Sequence, residues 1–291
     1  MHYTQYWRLH HSPFVAAPRW KAYEGGTVGE ALARAKFMVK NRAGCGLLVG
    51  PALVGKSVLL KQLAAKLRTA PASAGLSPRV VFLSAAGLEL DEMLAAVIEQ
   101  LLPDESSMQS AWRVDRERRW RTLEDATRAV AAEGRPMVLL VDDAYGGCDE
   151  VFAIIRRLQS RAAGLTCLLS LPQERVLDLP RGLSERCQMR IALPAWDLGQ
   201  TADYFEFCID QCKGRDSIFD ALSINRIHEL SEGLPFRINY LADLALVAGA
   251  LRRSDRVSAE LIEEVVDELA MRPEGDDSEF LSFDPSESGV R

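Results

Sequence analysis

Gly50-Pro51-Ala52-Leu53-Val54-Gly55-Lys56-Ser57 has the Gly-x4-Gly-Lys-Ser spacing of a phosphate-binding loop. An apolar run, Gly46 to Val49, leads into it and predicts a strand. From Val58 to Leu67 the apolar residues recur at helical spacing and predict a helix. Backbone N–H groups of such a loop, and of the helix N-terminus behind it, face phosphate oxygens, so Gly50 to Val58 are the expected binding residues. Lys56 adds a mobile positive charge for the β and γ phosphates, and the Ser57 hydroxyl suits Mg²⁺. Further on, Met137-Val138-Leu139-Leu140-Val141-Asp142-Asp143 predicts a buried strand that closes in two acids. Asp142 is placed to hold the metal's water shell. Strand, loop, helix and a second strand ending in Asp together point to a nucleoside triphosphate with Mg²⁺. A glycine turn with an ordinary surface lysine does not call for that company.

The chain has 291 residues, 48% of them hydrophobic, enough for one large domain and a smaller one. Of the net charge of −6, the six acids and two arginines of 272–291 contribute −4, so the remainder is close to balanced. That balance disfavours a broadly basic nucleic-acid surface. The six cysteines include no Cys-x2-Cys pair. Cys208 and Cys212 lie four apart without a histidine at a supporting spacing, so free thiols in a reducing compartment are expected rather than a metal site. The sequence holds neither an apolar stretch of membrane-spanning length nor a secretory signal, and a cytoplasmic protein is expected.

Residues 1–43 read as an irregular, aromatic lead-in followed by a helix to about Asn41 that opens on a capping box, Thr27 to Glu30. Strands are expected at about 46–50, 79–84, 137–141 and 165–170, with a shorter one at 188–193. Helices are expected at 55–68, 89–102 and 109–132. Near-continuous apolar strands alternating with helices predict a parallel sheet covered on both faces, occupying 44–195. Past Pro194 the strand patterns stop, and 199–213, 217–231, 234–251 and 258–270 read as helices of a separate domain, 196–271. The acidic tail 272–291 has the composition of a disordered segment. Arg113, Arg116, Arg118, Arg119 and Arg121 crowd one helix, but interleaved Asp115 and Glu117 suit a solvated mixed-charge face better than a nucleic-acid patch.

The order of these features resembles AAA+ ATPases, an α/β P-loop NTPase domain followed by an all-α lid. The pieces are Pro13-Phe14, the capped helix, Gly50 to Ser57, Asp142-Asp143-Ala144, Leu168 to Pro172, Leu183 to Arg190, and Gly233-Leu234-Pro235-Phe236-Arg237-Ile238-Asn239 running on to Leu246. They are similar to the ATPase subunits (A proteins) of general secretion pathways and to helper ATPases of transposition systems, over about 6–271. The resemblance implies ATP and Mg²⁺ as ligands, a sensor role for Ser170, and water activation by Asp143. It also implies an arginine finger at Arg186, with Arg190 four residues on and not separable from it by sequence. Surface ion pairing accounts for both arginines equally well.

Three departures bear on rate. Asp143 stands where the pattern has Glu, one methylene shorter, and a misplacement of about 1 Å can cost on the order of a hundredfold. Leu53 occupies a glycine position of the loop. Phe236 takes the place of the lid arginine, leaving Arg237 one residue late as a candidate second sensor.

Three functions follow as expectations. The first is an ATPase whose nucleotide state drives closure of core on lid, self-association and engagement of a protein partner. The second is a DNA-associated loader or transposition helper. The third is a switch that holds ATP and scarcely hydrolyses it. Secretion relatives carry a membrane span and a cell-wall-binding part beyond the lid, so membrane attachment is not expected of the residues present.

Overall fold

The computed structural model describes residues 3–15, 22–69, 77–102, 115–160, 164–215 and 217–270. In chain order these form α1 (Tyr3–Trp7), α2 (Gly26–Lys40), β1 (Cys45–Gly50), α3 (Lys56–Thr69), β2 (Arg79–Ser84), α4 (Leu90–Leu101), α5 (Arg116–Ala132), β3 (Met137–Asp142), α6 (Cys148–Gln159), β4 (Leu165–Pro172), α7 (Arg181–Ser184) and β5 (Cys187–Ala192). The lid helices α8 (Leu198–Gln211), α9 (Ala221–Ser231), α10 (Pro235–Leu251) and α11 (Ala259–Ala270) complete the described chain.

The strands form one sheet in the order β2-β3-β4-β1-β5, every neighbouring pair parallel. Side chains alternate between faces, and the two cores divide accordingly. Leu48, Val80, Val138, Leu140, Leu168 and Ile191 point to one face, against α2 and α3. Leu47, Val49, Val81, Leu83, Leu139, Val141, Leu169 and Leu171 point to the other, against α4, α5 and α6. Both faces are dry, which is why the strands read as unbroken apolar runs. The first core continues into the lid, where Trp196, Phe205, Ile227, Ile238 and Leu246 belong to the same buried cluster as α2 and α3.

The lead-in is ordered by the lid. Trp7 is buried, donates its indole N–H to the Leu246 carbonyl at 2.8 Å, and lies against Gly249, where a Cβ would come within 2.7 Å of its ring. The Tyr3 hydroxyl donates to the Asp243 carboxylate and lies 2.5 Å from the Ser12 hydroxyl, which donates to the same carboxylate. Phe14 fills a ring cluster with Phe205 and Phe219, at centroid separations of 5.0 and 5.8 Å. Truncating such a buried ring costs about 3–5 kcal/mol, so these contacts anchor 3–15 on α10 and α8.

Several expectations are corrected. Tyr3–Trp7 is a helix within the stretch read as irregular. The capping box at Thr27 does not form: α2 is capped two residues earlier, by Gly25, without a side-chain cap bond, and Thr27 Oγ1 is buried without a partner. The first lid break holds, with Asp197 and Gln200 making a reciprocal cap. The second helix starts late, at Ala221 behind the Asp220 cap, because Phe219 forms a bridge with Val257. Asp216, the expected cap there, lies outside the described residues, as do 109–114 of the charged helix and the tail from 271. Helix α6 was missed although Val151, Ile154, Ile155 and Leu158 form an i, i+3, i+4, i+7 stripe, all four buried.

Candidate nucleotide site

Strand β1 ends at Gly50 and α3 starts at Lys56, so the intervening loop turns at the carboxyl end of the sheet. Gly50 is required there: a Cβ would sit 2.2 Å from the Leu193 carbonyl oxygen. Gly55 turns the chain into α3 with φ +96°. Leu53 adopts φ +62° with a Cβ present, a conformation that costs an L-residue about 1–2 kcal/mol. Its carbonyl accepts the N–H of Phe236 at 3.3 Å, so the first turn of α10 rests on the phosphate loop. The departure seen in sequence is therefore a strained joint between core and lid.

Lys56 is only 8% exposed. Its ammonium folds back on the loop, donating to the Gly50 carbonyl at 3.0 Å and the Pro51 carbonyl at 2.7 Å. Burial lowers its pKa, opposed by the negative charges of Asp143, Asp142 and Glu174. Glu174 follows β4, just past Pro172, the register partner of Gly50. Sequence reasoning overlooked it, because only the strand order brings the end of β4 beside the loop.

Asp142 is buried at the end of β3. Ser170, itself fully buried in β4, donates its hydroxyl to Asp142 Oδ1 at 2.5 Å and accepts the Asp143 backbone N–H at 3.1 Å. One serine thus fixes both acids from behind. Asp143 takes φ +48° and stands exposed at the mouth. Partial desolvation at the rim and the adjacent Asp142 charge raise its pKa, with Lys56 opposing. Ser57, on the first turn of α3, and Asp142 make an oxygen-only donor set, the kind Mg²⁺ takes.

Lys56, Ser57, Asp142, Asp143 and Ser170 are thus gathered around one loop at the carboxyl ends of β1, β3 and β4. The remaining two are not. Arg237 pairs with Glu232 at 3.1 Å on the lid. Arg186 lies just before β5, at the amino end of the sheet, bonded to Gln159 Oε1 at 3.0 Å. It lines a recess of about 450 Å³ with Arg42, Glu185 and Gln188. Arg190 is exposed on β5, the sheet-edge strand.

On the charged helix, Arg116 and Arg119 pair with Asp91, Arg121 with Glu117, and Arg128 with Asp125. These charges are compensated within the fold.

Residues 39–175 match the family model described as an AAA domain. The chain is 26% identical to general secretion pathway protein A of Aeromonas hydrophila over 265 residues, 88% of this chain. It spans about half the length of that relative, 46%. Among solved structures, the ORC2 protein of Aeropyrum pernix, in ADPNP–ADP complexes, superposes with a TM-score of 0.67 at 14% identity, covering 88% of this chain and 71% of that one. Cdc6p of Pyrobaculum aerophilum gives 0.64 at 14% identity over 94% and 74%. The RuvB Holliday junction branch migration motor of Thermotoga maritima gives 0.56 at 16% over 86% and 71%. The fold is the AAA+ one: a five-stranded parallel P-loop sheet followed by a helical lid.

Proposed function

We propose that this chain is an ATPase that binds ATP with Mg²⁺ between the phosphate loop and the lid, and uses the nucleotide state to close the lid and assemble with further copies and with a protein partner. The observation that carries the reading is the buried Lys56 ammonium, held on the loop carbonyls and ringed by carboxylates. A desolvated cation with two replaceable neutral partners is poised for a stronger anionic one. On arrival of a triphosphate, Lys56 leaves Gly50 and Pro51 for phosphate oxygens, while loop and α3 N–H groups hold the remainder. Ser57 and Asp142 would hold Mg²⁺, which would supply charge neutralisation to the phosphates. Ser170 keeps Asp142 oriented, and Asp143 positions the attacking water.

In this reading the lid reports through Phe236, whose N–H is bonded to Leu53, and through Arg237, which must leave Glu232 to reach phosphate. Arg186, at the far end of the sheet from its own loop, serves the nucleotide of a neighbouring copy. The working units are the lead-in and helix 1–43, the nucleotide domain 44–195 and the lid 196–271. No helix among the described residues is long and apolar enough to cross a membrane, and cytoplasmic placement is part of the proposal. The A-protein likeness supports a role beside a secretion partner.

A second reading, a switch that holds ATP with little turnover, is favoured by the short Asp143 and by Arg237 engaged on Glu232.

Equilibrium binding of an unreactive ATP analogue with Mg²⁺ tests the site. Losing the charged contact in Lys56→Ala costs about 3 kcal/mol, roughly a hundredfold in affinity. Equal affinity of parent and variant would remove the assignment.

A further inference from the structure

At the amino end of the sheet, opposite the nucleotide site, three thiols stand in a row across adjacent strands: Cys167 on β4, Cys45 on β1 and Cys187 on β5, with Cys45 the register partner of both others. The β1–β5 ladder slips at this point, Cys45 pairing with Cys187 but Gly46 with Met189. Gln188 is the extra residue of a bulge, and its side chain accepts the Gly44 N–H at 3.3 Å. In a regular strand, residues 187 and 189 would share a face. Here Met189 packs with the core of α2 and α3, while Cys187 packs with that of α4 to α6. The bulge therefore re-aims Cys187 onto Cys45, the kind of redirection bulges produce. Their sulfurs are 3.4 Å apart.

We propose that Cys45 and Cys187 are a thiol oxidation site, closing to a reversible intrachain disulfide with peroxide as oxidant. Cys187 is the residue that reacts with peroxide. It is half-buried, whereas Cys45 is fully buried. A recess lined by Gly44, Arg186 and Gln188, chain neighbours of the two cysteines, lies beside the pair. With Cys45 as the donor across this contact, the thiolate is favoured on Cys187 and Cys45 stays protonated.

The Cys187 thiolate attacks one peroxide oxygen: an S–O bond forms, the O–O bond breaks, and hydroxide leaves. Cys45 sulfur then attacks Cys187 sulfur. The S–S bond forms, the S–O bond breaks, and the second hydroxide departs as water with the Cys45 proton. Two thiols are oxidised and one peroxide is reduced to two waters. A dithiol reductant reverses the bond by exchange. Closure removes the Cys187 S–H contact to the Leu183 carbonyl, 3.3 Å, and pins β5 to β1 next to Arg186.

The experiment uses the full chain and no nucleotide, so its result is separate from that of the ATPase reading. Protein is treated with hydrogen peroxide, unfolded, alkylated with iodoacetamide, and digested without reductant for mass spectrometry. The expected product is a peptide pair joined through Cys45 and Cys187, two hydrogens lighter than its separate halves and released by dithiothreitol. Cys167→Ser retains the pair, and Cys187→Ser leaves Cys45 alkylated. Recovery of both cysteines as separate alkylated peptides overturns the proposal. So does Cys187 as sulfinic acid beside an alkylated Cys45, or Cys187 joined to a second chain.

Discussion

The two ends of the sheet are built from the same five strands and do opposite things with burial. At the carboxyl end, charged groups are buried and held by hydrogen bonds: Lys56 on two carbonyls, Asp142 on Ser170. At the amino end, the thiols of Cys45 and Cys167 are buried, and Arg186 stands at the rim with an uncharged partner. Burying a charge is expensive unless it is paired, so the carboxyl end persists only because the fold supplies its partners. The amino end carries no such cost. The contrast implies that changes at the carboxyl end affect stability and chemistry together, whereas changes at the amino end leave the intrinsic nucleotide site intact.

The largest expected effect tests that separation. Arg186→Ala should leave analogue affinity unchanged and lower the turnover stimulated by protein concentration by about a thousandfold, the scale of an arginine finger. Phosphate release measured against protein concentration decides it, and the same loss in Arg190→Ala instead would move the finger four residues on.

Asp143→Asn should retain ATP and lower kcat roughly a hundredfold. In the parent, the acid limb of the kcat/KM profile, which reports the site before Mg²⁺ and nucleotide arrive, should lie above the ordinary aspartate range, because partial desolvation and the Asp142 charge both resist ionisation. That ratio then falls as pH drops through the raised value. A limb at the normal carboxylate position, or a fully active Asn variant, would take Asp143 out of the chemistry.

Ser170→Ala sharpens the contrast through stability. It strips a partner from the Asp142 carboxylate and the Asp143 N–H, costing about 1–3 kcal/mol by denaturant titration. The smallest effect concerns the joint with the lid. Leu53→Gly should be more stable than Leu53→Ala by about 1 kcal/mol, the reverse of the order in a helix, because φ +62° is strained only when a Cβ is present. Equal stabilities would show that the loop relaxes.

The phosphate loop, the acid-tipped strand β3 and the capped start of the lid were legible because each rests on local spacing. Helix α6 was equally legible and overlooked. Other features had no local signature. Thr27 has capping-box spacing, yet the helix is capped two residues earlier, at Gly25, a choice made by the surrounding packing. The aromatic lead-in shows no periodicity because its partners, Leu246, Gly249 and Phe205, are more than a hundred residues away.

What the sequence determined by itself was the phosphate-loop motif and the class of fold: glycines, a lysine and a serine at fixed offsets, and apolar strands alternating with helices, are short-range facts. Tertiary structure alone decided which groups meet. The strand order places β4 between β3 and β1, and so puts Ser170 against Asp142 and Glu174 near Lys56. A one-residue bulge turns Cys187 toward Cys45. Spacing along the chain carries no information about which strand lies beside which, because that is settled by burying both faces of the sheet at once.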